Sequence, residues 1–253
     1  MLDFLGIGAQ KAGTSWLFRW LGAHPRISFP AGKEVHFWDK KRDRGIDWYR
    51  DLFSAGDGKL HGEITPAYAC LSPESIAECH GAFPGLRLVY TLRNPIERAW
   101  SAAKMELQRK HPEIIEFPDG WFIQEFRSGG SLARGDYETC LKNWLRFYRP
   151  DQLLVLRFED LVENPASLLA KCFSHLGLEP LEFPCESLLR AKEFDGLPEP
   201  LRPSFLPVLH EIYDEKIRSL ERFLGLDLSG WMESQNAKTF DSTATSLMGV
   251  PNL

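Results

Sequence analysis

The sequence predicts a three-layer α/β domain on a mainly parallel sheet, and three stretches carry that expectation. Leu2-Asp3-Phe4-Leu5-Gly6-Ile7-Gly8, Leu86-Arg87-Leu88-Val89-Tyr90-Thr91-Leu92 and Leu153-Leu154-Val155-Leu156 are short apolar runs of buried-strand type. Each precedes a segment whose apolar residues recur at helical spacing. Strands alternating with helices favour parallel pairing, helices on both faces, and ligands at the carboxyl ends of the strands.

After the first run, Trp16, Leu17, Trp20 and Leu21 mark a helix that ends near Gly22 and Pro25. Residues 36–51 and 116–134 are rich in charged and aromatic side chains without a clean period, and read as excursions over the face that holds the site. Asn94-Pro95 opens a second helix with Ile96, Trp100, Ala103 and Leu107 on one face, proline suiting its first turn. Further helices are predicted over 136–148, 165–176 and 207–224, the first of them before the third strand. The proline-rich stretch 180–207 reads as a long loop. One domain over 1–232 follows, with 233–253 a tail that is weakly ordered or packed on the domain.

The 253 residues are 43% hydrophobic and 26% charged, enough for one substantial core. A net charge of -5 argues against a nucleic-acid partner and leaves room for a local basic pocket that holds a small anion. Five cysteines, odd in number and without a CxxC pair, suggest reduced thiols and a cytoplasmic compartment. The first residues lack the basic and long apolar regions of a signal peptide, and no run approaches the ~20 apolar residues of a transmembrane segment. Nothing in the sequence fixes the oligomeric state.

Gly8 and Gly13 keep the glycine spacing of a Walker A loop, GxxxxGK[ST], but Thr14 stands where its lysine belongs and Lys11 lies inside the loop. Backbone N–H groups from Ala12 through Gly13, Thr14 and Ser15 to Trp16, at a helix start, can cradle an anion with help from the helix dipole. A plain glycine turn with an exposed lysine fits the same letters. Against it stands a second anion-binding candidate: the strand 86–92 ends in Arg93, where a magnesium NTPase would place an aspartate. Arg93 and Ser101 can point the same way along one helix, and guanidinium plus hydroxyl is a phosphate grip. The blander alternative pairs Arg93 and Arg98 with Glu97 on a wet face.

Glu34-Val35-His36-Phe37-Trp38-Asp39 is the third constellation. In an extended segment Glu34 and His36 point to one side and Val35 and Phe37 to the other. A carboxylate and an imidazole beside aromatics suggest a general base; an exposed acid and a satisfied histidine explain the same residues. The seven histidines show no HxH or HxxxH pair, so no metal site is expected.

Together these residues resemble the superfamily of sulfotransferases that use 3′-phosphoadenosine 5′-phosphosulfate (PAPS), most closely its heparan-sulfate-type O-sulfotransferase branch and bacterial relatives. Lys11-Ala12-Gly13-Thr14-Ser15 is similar to the family's 5′-phosphosulfate loop, Arg93-Asn94-Pro95-Ile96-Glu97-Arg98 with Ser101 to its 3′-phosphate motif, and Glu34 to Asp39 to its catalytic-base segment. Glu63-Ile64-Thr65-Pro66-Ala67-Tyr68 is similar to a segment near the acceptor. The resemblance implies a P-loop-like fold. It also implies Lys11 at the leaving oxygen, with Gly13, Thr14, Ser15 and Trp16 on the 5′-phosphate and Arg93 with Ser101 on the 3′-phosphate. Glu34 is then the base, supported by His36 and Asp39. Two departures stand out. Ile64 replaces a frequent lysine, and residues 188–204 hold none of the cysteines that brace a C-terminal nucleotide loop in extracellular members. Arg190, Lys192 and Arg202 are the candidates to cover the nucleotide there.

The function implied is transfer of a sulfuryl group to a hydroxyl, on a carbohydrate or glycolipid if the branch is the guide, releasing adenosine 3′,5′-bisphosphate without a metal. The alternatives are sulfation of a polyketide, phenol or amine, a P-loop nucleotide kinase, and a non-catalytic nucleotide-binding module.

Overall fold

A computed structural model of the chain describes residues 1–111, 113, 118–182, 186–190 and 199–233. Five strands, β1 (Leu2–Gly8), β2 (Ile27–Ser28), β3 (Leu60–Ile64), β4 (Arg87–Leu92) and β5 (Leu153–Arg157), form one wholly parallel sheet in the order β2-β3-β1-β4-β5. From β1 the chain crosses to the edge strand β2, returns to β3 beside β1, and then continues on the other side of β1 through β4 to β5. Such a reversal opens a crevice at the carboxyl ends of the inner strands, where ligands of open α/β sheets bind.

Strand alternation divides the core into two layers. Leu5 and Ile7 of β1 and Leu88, Tyr90 and Leu92 of β4 face one core, while Phe4 and Val89 face the other. The first layer is built on α2 (Phe37–Lys40), α3 (Ile46–Asp51), α4 (Pro73–Ala82), α5 (Pro95–Lys110), α6 (Asp119–Phe126), α7 (Gly129–Gly135), α8 (Tyr137–Leu145) and α12 (Leu206–Leu224). The second is covered by α1 (Thr14–Gly22) and α10 (Pro165–His175), with α9 (Phe158–Glu163) and α11 (Glu186–Leu189) beside them. A last short helix, α13 (Gly230–Glu233), packs Trp231 on the first layer. The three-layer α/β expectation therefore holds.

Local chemistry sets the helix ends. Asn94 accepts from the Ile96 N–H at 3.0 Å and Pro95 fills the first turn, which fixes where α5 starts relative to β4. Along α12, Leu209, Tyr213, Ile217 and Leu220 make a buried stripe at helical spacing, and Gly225 at φ 65° ends the helix.

The helices expected over 136–148, 165–176 and 207–224 are α8, α10 and α12. Residues 118–135 depart from the expectation: they are not an irregular excursion but α6 and α7, and Phe122 and Phe126 of α6 pack tilted or edge-on against Trp100 and Phe205 in the core. Aromatic packing rather than a clean period holds α6, and Ser128, accepting from the Ser131 N–H at 3.1 Å, caps α7. β2 and β3 carry no long apolar run. Gly62 in β3 lies so close to the Phe4 ring that an added Cβ would sit 2.0 Å from it, so that strand is defined by close approach. Within 180–207, residues 183–185 and 191–198 lie outside the described residues, as does the tail beyond residue 233; the described part of that stretch holds α11 and the short turn Pro203–Phe205 that leads into α12.

Candidate active site

β1, β3 and β4 end beside one another; the exits of β1 and β4 carry two of the sequence constellations, and the third, Glu34 to Asp39, follows β2 and is tied to the end of β3 by Glu34 N–H to Ile64 O at 3.0 Å. From β1 the loop closes through Ala9 N–H to Thr91 O (3.0 Å) and Ala12 N–H to Ala9 O (3.2 Å), and Gly13 turns into α1 at φ 85°. The first α-helical bond of α1 runs from Leu17 N–H to Gly13 O. The N–H groups of Gly13, Thr14, Ser15 and Trp16 therefore precede the helix ladder, with no side chain capping them. The Trp16 indole is not at the loop surface. It is buried in the second core layer with Nε1 bonded to Leu189 O (2.7 Å), so only its backbone belongs to the cradle.

Arg93 follows β4 and reaches back to this loop. Its Nη1 donates to Lys11 O at 2.9 Å, its guanidinium lies 4.5 Å from the Phe158 ring centre, and Tyr137 Oη donates to its carbonyl at 2.8 Å. It also contacts Glu97 at 3.3 Å, the pairing the blander alternative expected, while Ser101 stands half-buried two turns into α5. Arg98 has a different place. It is fully buried and gives Nη2 to Ser131 and Tyr213, so it holds helices together rather than facing the crevice.

Like charges crowd this crevice. Burial holds the Lys11 ammonium below the usual lysine range, and the nearby Arg93 and Lys33 push it further down. Lys104, a turn beyond Ser101, is lowered by burial and by Arg93 and Lys11, partly offset by Glu199. Its Nζ donates to Glu199 O at 2.7 Å, which also receives Trp100 Nε1 at 3.0 Å. Half-buried cations that depress one another are the electrostatic complement of a polyanion.

Opposite them lies the Glu34 segment. Glu34 and His36 do share a side, but not through an extended strand: both are left-handed, at φ 62° and 59°, and α2 starts immediately after them. The double kink drops Val35 and Phe37 into the core and leaves Glu34 exposed. His36 Nδ1 lies 2.9 Å from Asp39 Oδ2, and since a carboxylate only accepts, that nitrogen carries the proton and Nε2 faces Glu34 Oε2 at 3.5 Å. Lys33 Nζ bonds Glu34 Oε1. Burial raises the Glu34 carboxyl, but the Lys33 bond and charge and the His36 imidazole outweigh it, and the net shift is below the usual carboxylate range. Among the described residues the non-glycine positions with positive φ are Lys11, Glu34 and His36. Such strain costs ~1–3 kcal/mol each and clusters where function holds it in place.

Sequence reasoning gave no individual role to Lys33, Tyr49, Glu63 and Tyr68. Glu63 is fully buried at the end of β3 and receives the hydroxyls of Tyr49, Thr65 (2.6 Å) and Tyr68 (2.8 Å). A carboxylate inside a buried strand was the available signal. Of the loop candidates, Arg190 bonds the carbonyls of Val162 and Glu163 and Arg202 bridges Glu199 and Asp119, while Lys192 lies outside the described residues. Cys70, Cys79, Cys140 and Cys172 are free thiols. Among the described residues no helix is long and apolar enough to cross a membrane.

Comparison with known proteins points the same way as the geometry. A family model described as "Sulfotransferase domain" matches residues 2–196. Heparan sulfate glucosamine 3-O-sulfotransferase 6 of Mus musculus is 33% identical over 182 residues, covering 68% of this chain and 51% of its own. The 3-O-sulfotransferase 3B1 of Homo sapiens is 30% identical over 235 residues, covering 86% of this chain and 59% of its own. This chain thus spans between half and three fifths of the length of those relatives. Among solved structures, a sulfotransferase from Alicyclobacillus acidocaldarius superposes with a TM-score of 0.71 at 24% identity, over 91% of this chain and 98% of its own. That likeness speaks for the fold.

Proposed function

This chain belongs to the sulfotransferase domain family, and from that premise we propose that it moves the sulfuryl group of PAPS to a hydroxyl of a carbohydrate or glycolipid. One observation carries the reading. Glu34 N–H bonds Ile64 O at 3.0 Å, and Ile64 pairs with Gly6 of β1, just before the loop that carries Lys11, so a carboxylate and an ammonium from separate loops rise at neighbouring strand ends.

The chemistry asks for a proton acceptor on one side and positive charge on the other. Glu34 takes the proton of the acceptor hydroxyl as the new O–S bond forms, and a base so positioned contributes ~100- to 10,000-fold. The S–O bond to the 5′-phosphate breaks and its electron pair leaves with adenosine 3′,5′-bisphosphate. Lys11 and the N–H groups of Gly13, Thr14, Ser15 and Trp16 meet that charge. Arg93 and Ser101 hold the 3′-phosphate. His36, oriented by Asp39, steadies Glu34. The carbohydrate acceptor is supported by the names of the relatives and by Lys33 on the base, with exposed Lys40 and Lys41 a few residues further along the chain, which suit an acidic saccharide. Ile64 offers no polar contact where relatives of this branch often have lysine.

Radiolabelled PAPS, supplied with N-sulfated heparan oligosaccharides in one arm and simple phenols in another, tests this directly. Label is expected on the saccharide and absent with Glu34→Gln. Label on phenols alone removes the carbohydrate acceptor; tight magnesium-ATP binding without affinity for adenosine 3′,5′-bisphosphate removes the donor.

A further inference from the structure

We propose that Tyr68 is a positioning residue of the reaction and that the buried Glu63 acts through it, fixing the hydroxyl whose lone pairs hold the kinked turn presenting Glu34 and His36. The proposal rests on the reading of Glu34 as base.

The hydroxyl of Tyr68 has one hydrogen to give. It is given to Glu63 Oε1, 2.8 Å away, which also receives Thr65 Oγ1 at 2.6 Å. The second oxygen of Glu63 takes the Tyr49 hydroxyl. Burial raises the Glu63 carboxyl, and the three hydroxyl donors and the nearby His36 pull it back only in part. A proton on Oε2 would still leave Oε1 as the acceptor for Tyr68. With its hydrogen committed, the Tyr68 oxygen can only accept, and it accepts from Phe37 N–H at 2.8 Å and Trp38 N–H at 3.4 Å.

Those two N–H groups open α2, a four-residue helix whose N-cap, His36, is left-handed and supplies no side-chain cap. Tyr68 therefore caps α2 from another element. On the other side of Val35, Glu34 N–H bonds Ile64 O at 3.0 Å. The turn carrying Glu34 and His36 is thus tied at both ends to β3 and the segment that continues it, although its own φ angles disfavour it. Tyr68 is itself held, since Trp144 Nε1 donates to its carbonyl at 3.0 Å, and Phe37 lies flat on the Tyr49 ring, centroids 4.4 Å apart.

The network has a direction that a test can use. Tyr49 and Tyr68 both bond Glu63, but only the Tyr68 hydroxyl also accepts from the α2 amides; Tyr49 touches α2 through its ring, which Tyr49→Phe keeps. Tyr68→Phe, Glu63→Gln, Tyr49→Phe and Glu34→Gln are compared in the full chain. The measurements are transfer of labelled sulfuryl from PAPS to N-sulfated heparan oligosaccharide, calorimetric affinity for adenosine 3′,5′-bisphosphate, and hydrogen exchange at the Phe37 and Trp38 amides. In Tyr68→Phe and Glu63→Gln, kcat per bisphosphate-binding site is expected to fall ~10- to 100-fold, as expected for a reacting group displaced by ~1 Å. Bisphosphate affinity should stay within about twofold, because the donor loop is untouched, and the two amides should exchange faster. Tyr49→Phe should change kcat less than threefold. Wild-type kcat in Tyr68→Phe, unchanged amide exchange, or an equal loss in Tyr49→Phe each overturns the proposal. Full activity in Glu34→Gln, or no transfer by the wild type, instead sinks the functional reading, and amide exchange still judges the network by itself.

Discussion

Arg93 Nη1 donates to the carbonyl oxygen of Lys11 at 2.9 Å, so the cation after β4 braces the backbone of the loop after β1. The two elements proposed to bind the phosphates are thus one mechanical unit. Under that proposal Arg93→Ala removes a 3′-phosphate ligand and the brace together. Charge-assisted hydrogen bonds are worth ~1.5–3 kcal/mol, so adenosine 3′,5′-bisphosphate should bind ~10- to 150-fold more weakly. Adenosine 5′-monophosphate should lose less, since only the brace bears on it. Isothermal titration of both nucleotides against both proteins decides; equal losses would move Arg93 away from the 3′-phosphate.

Gly13 has φ 85°, and a Cβ there would lie 2.5 Å from Leu161 Cδ1 and 3.4 Å from the Phe158 ring. Gly13→Ala thus combines a left-handed penalty of ~1–2 kcal/mol with a displaced Leu161. Gly225, at φ 65° with no heavy atom within 4 Å of its would-be Cβ, carries the penalty alone. Both variants should melt a few degrees lower, on the order of 2–4 °C per kcal/mol for a chain of this size. Only Gly13→Ala should also lose bisphosphate affinity. Differential scanning calorimetry with and without nucleotide separates the two effects.

With Glu34 as the proposed base and Lys11 as the proposed leaving-group cation, the pH profile follows from the direction of two shifts. Glu34 acts ionised and its carboxyl is depressed, so the acid limb of kcat/KM in the free enzyme should lie below the ordinary glutamate range. Lys33 is the main cause of that depression. In Lys33→Ala the burial effect, which raises the carboxyl, is left unopposed by the ammonium, and the acid limb should move upward. Lys11 acts protonated and is depressed, so the alkaline limb should begin below the ordinary lysine range. A Lys33→Ala profile superimposable on the wild type would show that the Lys33–Glu34 bond does not govern the base.

Much of this was legible in the letters because it depends on local order along the chain. A strand, a glycine turn and a helix read directly from Leu2 to Leu21, and Arg93 and Asn94-Pro95 mark the end of β4 and the start of α5. What escaped depends on contacts distant in sequence. β3 is short, and its Gly62 is explained only by the Phe4 ring against it. The turn at Glu34 looks extended by residue type, and becomes left-handed because Tyr68 and Ile64, some thirty residues later, hold it so. The Trp16 indole belongs by spacing to an apolar helix face, but its hydrogen-bond partner, Leu189 O, lies 173 residues later and is invisible to local pattern.

Arg93 and Arg98 look alike in sequence, five residues apart in one motif, and the fold gives them opposite tasks. Arg98 is fully buried, donates Nη2 to Ser131 O (3.1 Å), Ser131 Oγ and Tyr213 Oη (both 3.2 Å), and its Nε and Nη1 find no hydrogen-bond partner among the described residues. Truncation to alanine loses those bonds and opens a cavity, for ~3 kcal/mol of lost stability by analogy with large-to-small core changes. Arg98→Met refills most of the volume and removes the poorly satisfied buried charge, so at least half of that loss should return. The expected melting order is wild type, then Arg98→Met, then Arg98→Ala. Bisphosphate affinity per folded molecule should match the wild type in both variants, whereas Arg93→Ala loses affinity with little change in melting. A large affinity loss in Arg98→Met would place this guanidinium in the crevice after all.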